Sequence, residues 1–275
     1  MNLPLIDKNK LVDFTKLRDE FTRTFERWSQ TPTPKAVFPV LSQPNANTKL
    51  AKESDRTADY SIYSVFLAPA DSSGYEMCLW RSADCTSLCL NCSGKGAMQS
   101  VQAARIRKTQ RLVEDPHGFF WSLLSEMQKV CHKEANPVMR LNGTSDLPWD
   151  FIAPNLFSHF RLFNWKFYDY TKSVNRAFKQ DNAWDQTLSY SGNNWAECAK
   201  GLADKYCRVA VVFDTKRGQQ LPLHYRGYTV IDGDKDDLRF LDPKGVIVGL
   251  RYKVVTINGK RRSASDWNSP FVVTT

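Results

Sequence analysis

The sequence predicts an α/β fold with parallel strands, preceded by an amphipathic helix. The first observation is a repeated pattern over residues 137–214, where short apolar strands end in polar residues and are followed by helical segments. That alternation is typical of βαβ units, whose strands run parallel in one sheet. The second observation is size. A chain of 275 residues with 42 % hydrophobic content can bury a full core, and (β/α) barrel domains commonly have this length.

Composition narrows the class of protein. No run of 18 apolar residues is present, and the first ten residues lack the apolar core of a signal peptide, so neither a membrane span nor export is supported. Seven cysteines, an odd number and mostly isolated, fit a reducing cytosol better than a disulfide framework. The net charge of +9 points to a polyanionic partner, with nucleic acid as the first candidate. We therefore expect a cytoplasmic protein without a membrane partner.

An amphipathic helix is predicted over residues 8–30, because apolar residues recur there every three or four positions. These apolar residues are Leu11, Phe14, Leu17, Phe21, Phe25 and Trp28. The helix is expected to dock on the main body. Four prolines between residues 32 and 44 follow it, so residues 31–55 are predicted to form an extended arm. This divides the chain into a helix and arm, residues 1–55, and an α/β domain, residues 56–275.

The most specific feature of the chain is the cysteine loop, residues 85–96, which follows a strand predicted at residues 59–68. Cys85, Cys89 and Cys92 are separated by three and then two residues. Thiolates this close can ligate one metal centre, and three of them leave one iron of a cubane cluster open to a non-protein ligand. Two glycines at the end of the loop would let the backbone curl around such a centre. Two alternatives stay open: a zinc site completed by Cys78, and thiols without metal.

A basic helix is predicted after the cysteine loop, over residues 97–114. Its cations are Arg105, Arg107, Lys108 and Arg111. They would present positive charge to phosphate, which predicts a nucleic-acid surface; the alternative is an ordinary solvated helix face. A second helix is predicted over residues 119–132, with Asp115 suited to its N-cap and Pro116 to its first turn.

Polar residues follow the strands predicted at residues 137–141, 161–169, 186–191 and 208–214. Because ligands bind at the carboxyl ends of parallel strands, these tips are predicted to contact a cofactor or substrate. The alternative is that they are helix caps and ordinary strand-end residues. The predicted ligand-facing residues are Asn142, Gly143, Thr144, Ser145, Asp146, Tyr170, Lys172, Ser189 and Ser191.

An acidic stretch, residues 232–245, lies between strands predicted at residues 228–231 and 246–250. Its alternating carboxylates resemble the start of a calcium loop, but Asp237 stands where that loop needs glycine and Pro243 where it needs a bidentate glutamate. We therefore predict a substrate-facing polar loop. His224, just before it, is interpreted as structural. Residues 251–275 are predicted to form a terminal strand pair around a turn at 258–259.

The spacing of Cys85, Cys89 and Cys92 resembles the signature of the radical S-adenosylmethionine (SAM) superfamily. That resemblance implies a partial (β/α) barrel in which the cysteine loop follows the first strand. It implies a [4Fe-4S] cluster on the three cysteines, with SAM chelating the remaining iron. It also implies that the second strand tip, residues 142–146, cradles the amino group of SAM, while the next two tips line the ribose and substrate side.

Two positions depart from the radical SAM pattern. Asn91 stands where the superfamily usually has an aromatic residue. The second strand tip keeps Gly143 as its one glycine and offers Asp146 as its acid, whereas the superfamily usually has two glycines and a glutamate.

Over residues 45–250 the chain is more closely similar to a family of phage proteins of unknown function, gene product 88. The motifs that carry this similarity are residues 47–50, the cysteine loop, residues 104–109, residues 140–146, residues 168–172 and the acidic stretch. The similarity implies a phage origin, hence the cytoplasm of a host cell, and a radical-SAM-like fold. It implies no reaction.

These observations predict a phage iron–sulfur protein with a radical-SAM-like fold, which generates a 5′-deoxyadenosyl radical to modify a nucleic acid or nucleotide. The radical step is implied by the resemblance alone. The competing hypothesis is a binding protein that keeps the cluster, or zinc, as a structural element and engages nucleic acid or a host protein. Asn91 and the altered second tip favour that alternative.

Overall fold

A mostly parallel sheet forms the centre of the molecule. The computed structural model describes residues 7–44, 59–179, 183–257, 260–267 and 269–274. The strands in these ranges are β1 Ser61–Ser64, β2 Pro137–Arg140, β3 Lys166–Thr171, β4 Asp185–Ser189, β5 Arg208–Phe213, β6 His224–Tyr225, β7 Tyr228–Asp232, β8 Ile247–Arg251, β9 Val255–Ile257, β10 Lys260–Arg262 and β11 Val272–Val273. The helices there are α1 Phe14–Ser29, α2 Ala83–Ser87, α3 Gln99–Glu114, α4 Pro116–Cys131, α5 Trp149–Ile152, α6 Pro154–Arg161, α7 Val174–Phe178 and α8 Trp195–Ala203.

The sheet runs in the order β1-β2-β3-β4-β5-β8-β7-β6. Its neighbours are parallel except for the antiparallel pair β6–β7, and the short strand β11 pairs in parallel with the end of β5. The first five strands follow in chain order because helical connections carry the chain from each to the next. This confirms the predicted α/β class with parallel strands. In the described residues β1 and β6 do not pair with each other, so no closed barrel is formed there.

The N-terminal helix docks on the main body, as its periodicity predicts. It begins at Phe14 rather than at residue 8, because the Asp13 carboxylate caps it by accepting from the Lys16 N–H at 3.0 Å. Its buried face packs against α4, and the Trp28 indole N–H donates to Ser125 Oγ at 3.2 Å. The helix therefore shares one core with the domain that follows it. The predicted domain boundary and the arm segment 47–50 lie outside the described residues.

The third strand begins later than predicted. Residues 161–169 alternate well enough to indicate one strand, but Arg161 is the last residue of α6, and β3 begins at Lys166. Between them Asn164 adopts φ +63°, a left-handed conformation that asparagine tolerates and that reverses the chain. The exposed Leu162, at 81 %, belongs to this turn.

The strand predicted at residues 59–68 is shorter than expected, since β1 covers only Ser61–Ser64, and the remaining helix and strand predictions hold with small shifts at their ends. Asp115 caps α4 as expected, accepting from the Gly118 N–H at 3.1 Å, with Pro116 in the first turn. The terminal strand pair is β9–β10, whose turn at residues 258–259 lies outside the described part. Of the helices that the structure describes, none has the length and apolar character needed to cross a membrane.

The acidic stretch forms an inner loop, residues 233–246, that packs on one face of the sheet. Leu238 packs with Ile62, Val138 and Tyr168 on one face of the sheet, while alternate residues of the same strands pack with α4 on the other face. Two of its acids form an ion cluster with the fully buried Arg239, whose guanidinium lies 2.9 Å from Asp236 and 2.8 Å from Asp242. The inner loop therefore fills the face of the sheet that a barrel would enclose.

Candidate functional site

The cysteine loop lies beyond the carboxyl ends of β1 and β2 and is built from three short helical turns. Ser82 caps α2, accepting from the Cys85 N–H at 3.1 Å. Two 3-10 turns follow, Leu90–Cys92 and Gly94–Ala97. Gly94 has φ +51°, and a Cβ on Gly96 would lie 2.6 Å from the Leu90 carbonyl oxygen. The glycines are therefore needed for the tight path of the loop.

Four free cysteines lie in or near the cysteine loop, at this edge of the sheet. Cys89 is close enough to Cys85 and Cys92, and Cys78 to Cys85 and Cys89, for their charges to influence one another when ionised. Burial raises the pKa of the Cys89 thiol to about 11 and raises those of Cys92 and Cys78 as well. Without a metal these groups are therefore protonated thiols at neutral pH. Among the described residues, no three Cys, His, Asp or Glu side chains are grouped so as to hold one metal ion.

A half-buried lysine just after β3 faces the cysteine loop. The Lys172 ammonium interacts electrostatically with Cys85, Asp146 and Cys78. Burial alone would lower the pKa of Lys172, but an ionised Cys85 and the Asp146 carboxylate raise it above its usual value, so the side chain stays charged. Lys172 also lies 5.9 Å from the centre of the Phe271 ring, which comes from the C-terminal segment. Its place at the β3 tip agrees with the prediction that this tip faces the site.

Arg105 is a second cation beside the cysteines. Its guanidinium donates to the Asn91 side-chain oxygen and lies 5.5 Å from the centre of the Phe66 ring. Burial lowers the pKa of Arg105, and a Cys89 thiolate opposes that effect. Its Nε is buried without a hydrogen-bond partner among the described residues. Arg105 thus places positive charge next to Asn91, in the middle of the cysteine loop, and Lys172 places it next to Cys85, where the loop begins.

The β2 tip uses its polar side chains inside the protein. The Asn142 side-chain oxygen accepts from Ser145 Oγ at 2.9 Å, from the Leu147 N–H at 2.9 Å and from the Trp149 indole at 3.1 Å. A Cβ on residue 143 would lie 2.5 Å from the Phe66 ring, so only glycine fits there.

The end of the β2 tip positions Cys78. The Asp146 N–H donates to the Met77 carbonyl at 2.9 Å, and the Cys78 thiol faces the Thr144 carbonyl. The Asp146 carboxylate accepts from Arg176 and from the Lys172 N–H. Of the five predicted ligand-facing residues of this tip, Thr144 and Asp146 therefore adjoin the Met77–Cys78 segment through their backbone atoms, while Asn142 and Ser145 bond within the tip.

The remaining predicted ligand-facing residues, Tyr170, Ser189 and Ser191, lie in different surroundings. The Ser191 carbonyl accepts from Ser82 Oγ at 3.3 Å, so the β4 tip reaches the start of the cysteine loop, whereas Ser189 offers its carbonyl to Asn194 at 3.2 Å. Tyr170 points away from the cysteines, with its hydroxyl donating to Asp237 at 3.4 Å. Of these three residues, only Ser191 is brought to the cysteine loop.

The basic helix α3 does not present its four cations on one surface. Arg105 faces the cysteine loop, and Lys108 is largely buried, donating to the Val40 carbonyl. Arg107 is exposed. Arg111 packs over the Phe38 ring at 4.9 Å and pairs with Asp115 at 3.4 Å. The predicted nucleic-acid residues thus fall into an inward pair and an outward pair.

The burial of Lys108 leads to a pH-dependent prediction. Burial lowers its pKa from 10.5 to about 8, so between pH 8 and pH 10 the unfolded chain binds more protons at this site than the folded chain. The free energy of unfolding contributed by Lys108 should therefore rise with pH across this window. We expect urea unfolding to show the wild type gaining stability relative to Lys108→Met from pH 8 to pH 10. A difference that stays constant or shrinks would contradict it.

The sequence gives no local signal for two features that hold the cysteine loop. Arg81 pairs with the buried Glu76 at 2.9 Å and donates to Thr86 Oγ1 at 2.7 Å, which ties the approach segment to α2. At the far end, Ser93 forms an antiparallel bridge with Val255 of β9, so the terminal hairpin lies on the loop. The Arg81 contacts belong to no recognisable sequence motif, and the Ser93–Val255 bridge joins residues that are far apart along the chain. Neither could be predicted from the sequence.

Two minor predictions concern the acidic stretch and His224. Asp232 and Asp234 pair with Arg251 at 2.8 and 3.3 Å, so this arginine supplies the positive charge beside the carboxylates of the calcium-like motif. His224 is exposed in β6, on the edge of the sheet.

The fold and the site define an α/β protein with a mostly parallel sheet and a cysteine-rich loop at its carboxyl edge. The family model of Gene product 88 matches residues 39–266, and the chain belongs to that family of phage gene products. Neither a curated protein nor a solved structure matches the chain. The family carries no assigned reaction, so the radical SAM resemblance stays a prediction.

Proposed function

We propose that this protein is an iron–sulfur protein of the radical SAM type, with Cys85, Cys89 and Cys92 as the cluster ligands. The observation that carries the proposal is the spacing of these three cysteines within one loop at the carboxyl edge of a parallel sheet, beside Lys172 and Arg105. Ligands of parallel α/β sheets bind at this edge.

The residues present suit a cluster. Thiolates are the soft ligands that iron–sulfur clusters prefer, and binding requires each thiol to lose its proton. Burying three thiolates is costly unless positive charge lies nearby. Lys172 and Arg105 provide that charge, and the pKa of Lys172 is raised when Cys85 is a thiolate and by the Asp146 carboxylate. These two cations would also influence the reduction potential of the bound group, because nearby charge is one of its determinants.

When bound, a cluster of this type supplies the electron that cleaves SAM and gives a 5′-deoxyadenosyl radical for hydrogen abstraction. The chain would hold the cluster, orient SAM and the substrate, and shield the site from water. The inner loop covers one face of the sheet, which leaves the carboxyl edge as the approach for a ligand. Since the β2 tip bonds its polar side chains internally, its backbone groups would make the contacts to SAM. The basic net charge makes a nucleic acid or nucleotide the substrate to test first.

A second function is favoured by Cys78. It lies near enough to Cys85 and Cys89 to interact with their charges, and a site of four thiolates would be closed, as structural zinc sites are. The protein would then be a binding protein without radical chemistry, in which the metal stabilises the cysteine loop and the surface engages nucleic acid or a host protein. The internal bonding of the β2 tip agrees with this alternative.

The substitution Cys78→Ser separates the two functions. If three cysteines hold the metal, the variant should retain iron after anaerobic reconstitution; if four do, it should lose metal as completely as a Cys89→Ser variant does. Metal analysis for both iron and zinc on the wild type and the two variants gives the answer.

Binding of SAM tests the enzymatic part. A ligand at one hundred times its Kd adds about 2.7 kcal/mol to native stability, roughly a 5 °C rise in Tm for a chain of this size. We expect SAM to raise the Tm of the iron-loaded wild type and to leave that of the Cys85→Ala, Cys89→Ala, Cys92→Ala variant unchanged. No shift in the loaded wild type would leave the binding protein as the function.

A further inference from the structure

The terminal hairpin brings positive charge to the cysteine loop. Its first strand, β9, lies directly on the loop: Val255 is fully buried and bridges to Ser93. Its second strand, β10, consists of Lys260, Arg261 and Arg262, and all three are exposed. The chain thus places a basic ribbon beside the end of the cysteine loop that follows Cys92.

These three cations have no ion-pair partner in the described part of the chain. The nearest acid in sequence, Asp266, accepts from the Ser263 N–H at 2.6 Å in a capping box and interacts with Arg262 only at longer range, without forming an ion pair. In an antiparallel pair, opposite residues project from the same side. Arg262 therefore shares the side of Val255, toward the loop, and Arg261 shares the outer side with Thr256. Positive charge is presented on both sides of the ribbon.

Exposed apolar side chains surround the place where the hairpin meets the loop. Leu90 and Met98, at the two ends of the 3-10 turns, are each 53 % exposed, and Val254 is 36 % exposed. Cations beside apolar surface fit a strand of nucleic acid with unpaired bases, because phosphates pair with the cations and base faces cover the apolar atoms. A duplex offers mainly phosphates and groove edges and would leave this apolar rim uncovered.

We propose that the β9–β10 hairpin binds single-stranded nucleic acid next to the cysteine loop. The inference deepens the proposed function, on which it rests for the idea that the loop is the reactive site, by naming the substrate class and the surface that holds it. It also relocates the nucleic-acid contact from α3, where Arg105 and Lys108 point inward, to the C-terminal segment.

The test is fluorescence anisotropy with a labelled 20-nucleotide single strand and with its duplex. The variant Lys260→Gln, Arg261→Gln, Arg262→Gln should weaken single-strand binding roughly tenfold and lower the slope of log K against log salt by about 2, since each phosphate contact contributes about 0.7. A matched control, Lys16→Gln, Lys129→Gln, Lys133→Gln, removes the same charge from exposed residues of α1, α4 and the turn after it, and should bind like the wild type.

A single substitution separates the loss of positive charge from misfolding of the hairpin. Arg261→Gln alters only the outer side and should lower the salt slope by about 0.7 while the Tm stays unchanged. Equal losses in the hairpin variant and the control, no loss in either, or tighter binding to duplex would overturn the proposal. So would equally tight binding to poly-glutamate, which would indicate an acidic protein as the partner.

Both proposals can fail separately. Oligonucleotide binding is measured on metal-free and on iron-loaded protein, and iron is measured on every variant. A hairpin variant that keeps its iron and its oligonucleotide binding overturns the hairpin proposal alone. A wild type that binds the oligonucleotide through the hairpin but takes up no iron overturns the proposed function alone.

Discussion

Alanine at any one of Cys85, Cys89 and Cys92 is expected to abolish iron binding and the broad visible absorption of the reconstituted protein. Three protein thiolates are what the cysteine loop offers a cubane cluster, and the loss of one leaves two irons without protein ligands. The expected effect is near complete rather than partial. Iron and sulfide analysis after anaerobic reconstitution measures it.

The matched control for these variants is Cys131→Ala. Cys131 is also a partly buried free thiol, but it lies at the end of α4, where its sulfur accepts from the Trp165 indole at 3.2 Å. This variant should keep its iron. Iron that survives in a loop variant, or that is lost equally from Cys131→Ala, would contradict the assignment of the loop as the metal site.

Replacing Arg140 by methionine is expected to destabilise the fold strongly. The Arg140 guanidinium lies 2.9 Å from the Asp237 carboxylate, which is 1 % exposed and also accepts from the Tyr168 hydroxyl at 2.8 Å. Removing one partner leaves the other charge buried, which costs about 3–5 kcal/mol of unfolding free energy. Urea unfolding of the metal-free protein should show a much lower midpoint.

Two further variants test this explanation. Lys200→Met removes the exposed ion pair with Asp204 and should leave the midpoint unchanged. The double variant Arg140→Met, Asp237→Asn removes both charges of the pair, leaves in place the Asp169 carboxylate, which lies 3.7 Å from Arg140 in the wild type, and should be less destabilised than the sum of its single substitutions. An Arg140→Met midpoint equal to that of the wild type would show that the inner loop does not depend on this pair.

Most of the fold could be predicted because its signals are local. The apolar spacing of α1, the Asp115-Pro116 start of α4 and the strand–helix alternation all lie within short windows of sequence. The late start of β3 was missed because the turn at Asn164 carries no glycine or proline, and the apolar residues around it alternate like a strand.

The burial of the inner loop could not be predicted from the composition of the acidic stretch. Closely spaced charges usually indicate a solvated segment, since buried acids are rare unless paired. The partners of the buried Asp237 are Arg140 and Tyr168, which lie 97 and 69 residues earlier along the chain. The local sequence therefore carries no sign of the pairing.

The residues of the candidate site also fall into those that the local sequence indicates and those that only the packing of the chain reveals. Cys85, Cys89 and Cys92 could be singled out because their spacing is itself the signal, and Lys172 because it follows a strand. The inward orientation of Arg105 depends on how α3 packs, and the docking of β9 on Ser93 depends on a pairing across more than 150 residues. Helical periodicity and charge counts predict neither the orientation of Arg105 nor the docking of β9.

The most direct measurement is the iron, zinc and acid-labile sulfide content of the wild-type protein purified and kept without oxygen, together with its electronic spectrum. The proposal predicts about four irons and four sulfides per chain with visible charge-transfer absorption. Stoichiometric zinc without sulfide, or no bound metal after reconstitution, would contradict a cluster on the cysteine loop and leave the binding protein in its place.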